Sequence, residues 1–107
     1  MATPVELVGN QYKAVAASQT AAGLGTSGST VAGDVLEGVL IVPATTSPGA
    51  VAILDGTTSI SVFAGGAGSV SNLVPFFVPL GGIKSANGQW KATTGANVSI
   101  IGVGRFA

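Results

Sequence analysis

Glu6, Asp34, Glu37 and Asp55 are the only acidic residues of this 107-residue chain, which has no histidine and no cysteine. General acid–base catalysis draws on a histidine or on carboxylates held in contrasting environments. Asp34 and Glu37 are three positions apart, an odd spacing that puts them on opposite faces of a strand. Asp55 precedes Gly56, where an aspartate that shapes a turn is the simpler reading. Glu6 belongs to a terminal stretch of the kind that is often untethered. A glycosidase pair built from these four is remote.

Nucleophilic chemistry fares no better. Neither a Ser-His-Asp nor a Cys-His arrangement can be assembled without histidine or cysteine. Ser85 lies beside Lys84 and near Lys91, but at a turn, where solvated polar residues explain them better than serine–lysine catalysis. Gly65-Gly-Ala-Gly68 lacks the Lys-Ser/Thr and the helix of a phosphate loop. Gly23-Leu-Gly-Thr-Ser-Gly28 spells a dinucleotide fingerprint without the strand–helix context that gives it meaning. Four scattered acids offer no calcium-loop spacing. Lys13, Lys84, Lys91 and Arg105 are too few and too dispersed to neutralise a phosphate backbone. The sequence therefore predicts a non-enzymatic chain with no catalytic, cofactor-binding or metal-binding residues and no nucleic-acid partner.

The scarcity of charge is itself informative. Four acidic and four basic side chains stand against a 47% hydrophobic composition, where roughly 27 charges would be usual for a soluble domain of this length. A lone globule of zero net charge tends to associate, so the composition predicts a surface covered by copies of itself or by another protein. The length suits one domain. Glycine is abundant, at 17 residues, but follows no triplet period, which excludes collagen. Met1–Asn10 has no basic segment ahead of an apolar one, so no secretory signal is expected. The longest apolar stretches, 39–44 and 73–80, are short and interrupted by proline, and no membrane span is predicted.

The elements that must position any site follow a period of two. Val51 and Ile53 alternate with Ala52 and Leu54, Ile60 and Val62 with Ser59 and Ser61. Val98, Ile100, Gly102 and Gly104 alternate with Ser99, Ile101, Val103 and Arg105. Such alternation in Val-, Ile- and Thr-rich segments predicts half-buried strands. Residues 34–42 are more continuously apolar and read as a strand covered on both faces. Asp55-Gly56 predicts a hairpin turn, and Asn87-Gly88 predicts a second between 82–84 and 89–94. Pro75 and Pro79 flank Phe76-Phe77-Val78 and predict an edge strand. Residues 14–22 tolerate a short helix, but Tyr12–Ala16 also fits a strand, and strand followed by a Gly/Ser-rich loop is the preferred reading. Ala44-Thr-Thr-Ser-Pro-Gly-Ala-Val51-Ala-Ile53 weakly echoes Ala92-Thr-Thr-Gly-Ala-Asn-Val98-Ser-Ile100, most simply as two similar turns entering two similar strands. The expectation is an all-β chain: a single antiparallel β-sandwich of jelly-roll or immunoglobulin-like type, with seven to eight short strands. Residues 1–33 are expected to form a flexible N-terminal arm and loop, and residues 34–107 the sandwich core.

Aromatic residues supply the interface candidates. Phe76 and Phe77 put one ring on each face of their strand, so one must be covered by a neighbour or left exposed. Trp90 and Tyr12 are single aromatics; either could anchor an interface or a sugar, although a packing role for Trp90 is the blander alternative. Phe76, Phe77, Trp90 and Tyr12 are the predicted interface residues.

The segment Val42-Pro-Ala-Thr-Thr-Ser-Pro-Gly-Ala-Val51 with Ile53 and Asp55-Gly56, then Gly88-Gln-Trp90 and Thr93-Thr-Gly95, resembles small virion structural proteins of tailed bacteriophages. The resemblance covers 34–106 and carries no diagnostic functional motif. It implies a capsid decoration, or cement, protein that forms a homo-oligomer, a trimer among the forms, and stabilises the head shell by contact with the major capsid protein or another virion protein. The implied location is the virion, after synthesis in the host cytoplasm. A neck, tail or fibre-anchoring component, or a carbohydrate-binding module of the virion, is the alternative.

Overall fold

The alternating segments become eight strands in the computed structural model, which describes residues 11–25 and 33–106. They are β1 (Gln11–Val15), β2 (Ala22–Gly23), β3 (Val35–Pro43), β4 (Val51–Asp55), β5 (Thr58–Phe63), β6 (Phe76–Lys84), β7 (Trp90–Thr94) and β8 (Val98–Arg105). No helix occurs among the described residues. Two four-stranded sheets form, in the orders β1-β8-β3-β6 and β2-β7-β4-β5, with every pairing antiparallel.

The order has a simple rule. β1 pairs with β8, β2 with β7, β3 with β6 and β4 with β5, as though one long hairpin had been bent at Gly56-Thr57 and rolled into two layers. That is the jelly roll, and of the two expected sandwich types it is the one present. At the tip of the hairpin Asp55 pairs with Thr58, and Gly56, at φ 62, takes the first central turn position. An L side chain is strained there and glycine is not.

Between the layers lies one core. β3 and β8 contribute Leu36, Val39, Ile41, Val98 and Ile100, and β4 and β7 contribute Val51, Ile53, Trp90 and Ala92. Each large aliphatic side chain buried in this way is worth about 1.5–3 kcal/mol. The register of β3 shifts between Leu36 and Gly38. This bulge at Glu37 lets Leu36 and Val39 both face inward although they are three positions apart, a spacing that puts residues of a regular strand on opposite faces.

Three expectations need correction. The first concerns the arm. Residues 11–15 pair with β8, residues 22–23 pair with β7, and Val15 and Leu24 are buried in the core; these residues are part of the sandwich, and only 1–10, 26–32 and 107 lie outside the described residues. Asn87-Gly88 is not a hairpin turn either, because β6 and β7 belong to different sheets. The Asp55 carboxylate accepts the backbone N–H groups of Ala86 (3.0 Å) and Asn87 (2.9 Å), drawing the connection across to the β4–β5 tip. Finally, β3 is buried on its inner side only. Val35, Leu40 and Val42 alternate outward and remain half-buried.

β6 is an edge strand, as its prolines demand, with Pro79 opposite Gly38. The two echoing turns lie against each other at one end of the sandwich. Ala44 N–H donates to Asn97 O, Gly49 N–H to Ala96 O and Gly95 N–H to Ala50 O, each at 2.8 Å.

Candidate protein interface

Strand register decides which side chains share the outside of the β1-β8-β3-β6 sheet, since directly opposed residues face the same way. One row across all four strands is Ala14, Ile101, Leu40 and Phe77. The adjacent row is Tyr12, Val103, Gly38 and Pro79. Val42 continues the surface beside Ser99; charge enters at the far end, where Arg105 and Lys84 flank Val35, and at the β3 bulge, where Glu37 lies against Gly82. Two complete rows thus carry no ionised group. Tyr12 is 77% exposed and Phe77 47% exposed, while Leu40, Val42, Ile101 and Val103 are half-buried by their own neighbours.

The Phe77 ring is seated by a missing side chain. A Cβ on Gly38 would collide with Phe77 Cζ and stand 2.6 Å from Val78 O. Glycine at 38 therefore lets the ring lie down over β3, widening a flat apolar surface.

The outside of the other sheet has different chemistry. Its rows are Lys91, Leu54 and Ser59, then Thr93, Ala52 and Ser61. Each row mixes short apolar groups with hydroxyls or an amine, which suits water contact on an antiparallel sheet.

Of the four aromatic candidates, the structure brings Tyr12 and Phe77 onto the same apolar face. Phe76 turns inward, half-buried, and meets Phe63 edge to face with ring centroids 5.4 Å apart. Trp90 is removed from the candidates: it is 2% exposed and its indole Nε1–H donates to Asp34 O at 3.0 Å. Its position on a central strand, in phase with Ala92 and Thr94, is the signal that places it in the core. Leu40, Val42, Ile101 and Val103, which complete this face, are not among the candidates that the sequence offers. Their only trace in the sequence is that β3 and β8 are apolar in both phases of the alternation.

The residues considered for catalysis take structural positions. Asp55 holds the β6–β7 connection by its N–H groups. Ser85 is buried, not solvated, and its hydroxyl accepts the Gly33 N–H at 2.9 Å. Asp34 is buried beside Trp90 and its carbonyl also accepts the Ser85 N–H. Glu37 lies against Gly82 on β6. Among the described residues no group of three or more acidic side chains gathers around a common point, and no helix is long and apolar enough to cross a membrane.

A second surface opens along the β5 and β6 side. A cleft of about 510 Å³ lies there, lined by Phe63, Val70, Val74, Pro75 and Phe76 together with Asn72. Leu73 and Val74, in the connection above it, are exposed. No protein-family model, curated protein or solved structure matches this chain.

Proposed function

We propose that this chain is a non-enzymatic structural subunit of a bacteriophage virion, a capsid decoration protein that docks on the head shell through the outside of its β1-β8-β3-β6 sheet. The observation that carries this reading is the contrast between the two uncharged rows that cross all four strands of that face and the mixed polar outside of the second sheet. Jelly rolls recur in viral capsid proteins and in lectins, so the fold is compatible with the reading without deciding it.

Magnitudes favour attachment in many copies. Four strands about 4.8 Å apart and about six residues long at about 3.3 Å each give a flat area of about 400 Å². At about 25 cal/mol per Å² its burial is worth about 10 kcal/mol, comparable with the roughly 4–15 kcal/mol lost when two bodies associate. One face alone makes a marginal contact. A subunit that presents several linked faces overcomes this through effective concentration.

The carbohydrate-binding alternative loses its strongest residue with the burial of Trp90. A neck or tail position uses the same face and is separated from a head position by imaging. The test is co-sedimentation of the chain with purified particles, followed by imaging of particles with and without it. The expected result is many regularly spaced copies on the shell, with less than tenfold loss of binding between about 50 and 500 mM salt, because screening acts on charge and not on apolar burial. A chain that stays in the supernatant at every concentration, or binding abolished by moderate salt, overturns the proposal.

A further inference from the structure

An antiparallel sheet must finish its edges, and the two sheets together have four. β2 is only two residues long. β1 carries Lys13, which its register opposite Gly102 directs to the inner side. β6 contains Pro79 and, at Gly81 and Gly82, two successive positive-φ residues (72° and 76°) that bend it. Short length, an inward charge, proline and a kink are the devices by which natural sheets prevent edge-to-edge pairing. β5, Thr-Ser-Ile-Ser-Val-Phe, has neither charge nor proline. Its one register shift, at Val62, leaves Thr58–Ser61 regular, and among the described residues no strand covers its outer side.

We infer that β5 is a self-pairing edge: two copies of this chain join antiparallel through Thr58–Val62, making one eight-stranded sheet across the dimer. Three features commit the edge to a second copy. A pairing centred on Ile60 sets Ser59 opposite the partner's Ser61, matching hydroxyl with hydroxyl and never like charge with like charge. Ile60 points inward in register with Ile53, yet is 41% exposed at the open side of the sandwich. The partner's Ile60 arrives on that same side of the sheet and covers it. Symmetry supplies the third feature. Antiparallel strands joined edge to edge are related by a two-fold axis perpendicular to the sheet, so the apolar β1-β8-β3-β6 faces of both copies point the same way. The dimer is then a bivalent body of the kind that the marginal single face calls for. That last point rests on the proposed docking; the strand pairing itself does not.

The test uses the whole chain and a charge swap. Light scattering at rising concentration, to about 0.5 mM because a short strand pair makes a weak dimer, is expected to approach twice the 10.3 kDa monomer mass. The double variant S59K/S61K and the double variant S59E/S61E each dimerise at least tenfold more weakly, and their equimolar mixture regains the wild-type mass. Both positions are exposed, so circular dichroism should show the native fold. Amide exchange of the wild-type chain gives an independent readout: β5 amides slow as concentration rises, while those of β1 do not. A wild-type chain that is monomeric throughout, or β5 exchange indifferent to concentration, overturns the inference. So does an oligomer that survives both double variants but is lost in Phe77→Asp, which would assign self-association to the sheet face. Particle binding that persists with monomeric wild-type chain sinks the strand pairing alone and leaves the docking face standing.

Discussion

The two sheets of this jelly roll share one core but turn opposite chemistry outward. Outside β1-β8-β3-β6, the two rows Ala14–Ile101–Leu40–Phe77 and Tyr12–Val103–Gly38–Pro79 are aliphatic, aromatic, proline or glycine. Outside β2-β7-β4-β5, every row holds a hydroxyl or an amine. A chain with eight charged side chains in 107 residues has little polarity to spread over its surface, and its two sheets share that polarity unequally. Two sheets with similarly mixed exteriors would imply only a charge-poor globule. A dry face opposite a wet one is the arrangement that the proposed docking on a larger body requires.

The contrast is broken most directly by exchanging the two exteriors. Leu40→Asp puts a carboxylate at the centre of the dry face, and Ala52→Asp puts the same group on the wet one. Leu40 is half-buried by its sheet neighbours and Ala52 is comparably placed, so the two variants should keep similar thermal stability. Binding to particles should separate them. Burying an unpaired charge in an interface is strongly unfavourable, so Leu40→Asp should bind at least about 100-fold more weakly, roughly 2.7 kcal/mol, while Ala52→Asp stays within about threefold of wild type. Equal effects in a sedimentation assay would mean that the two faces do not differ in function.

Most of the strands are legible in the linear sequence, because alternation is local, but β6 reads as two pieces, 76–78 and 82–84, where the structure has one strand through Pro79, and β2 reads as loop. The strand order is not legible. β3 pairs with β6 and β8 over long separations, and nothing in a window of ten residues encodes that. The Asn87-Gly88 turn misled for the same reason: a hairpin signal was overridden by a carboxylate 31 and 32 residues away, on Asp55. Phe77 was legible as an unmatched ring, since two adjacent aromatics must diverge on a strand. The rest of the face was not, because Tyr12, Val103, Leu40 and Ile101 become neighbours only once the register is set.

The dry face also depends on how its outermost strand is held. β1 brings Tyr12 and Ala14 to the surface, and the side chain of Thr94, from the opposite sheet, ties down the start of its connection to β2 with two hydrogen bonds. Thr94 Oγ1 donates to Ala16 O at 2.6 Å and accepts the Gln19 N–H at 3.0 Å. Thr94→Val keeps the shape and deletes both bonds, leaving a carbonyl and an amide without their partner. The expected loss is about 1–3 kcal/mol, read from denaturant midpoints. Faster amide exchange should be confined to β1 and the 16–21 connection. Uniform exchange across both sheets would show that the connection is not what holds β1 in place.

The smallest effect sharpens the same point with the opposite sign. Ala21 ends that connection at φ 49, and its N–H donates to Thr93 Oγ1 at 3.0 Å. A left-handed backbone costs a residue with a Cβ about 1–2 kcal/mol. Glycine at this position removes that strain but frees the unfolded chain by about 0.4–1 kcal/mol. The balance favours Ala21→Gly by about 0.5 kcal/mol, a rise in melting temperature of about 2–4 °C for a chain of this size. Ala92→Gly is the matched control. Ala92 is fully buried on central strand β7 and has no positive φ to relieve, so the same replacement there should lower the melting temperature. If Ala21→Gly also lowers it, the hydrogen bond to Thr93 depends on the alanine geometry, and the strain at the β1–β2 crossing is part of what keeps β1 on the dry face.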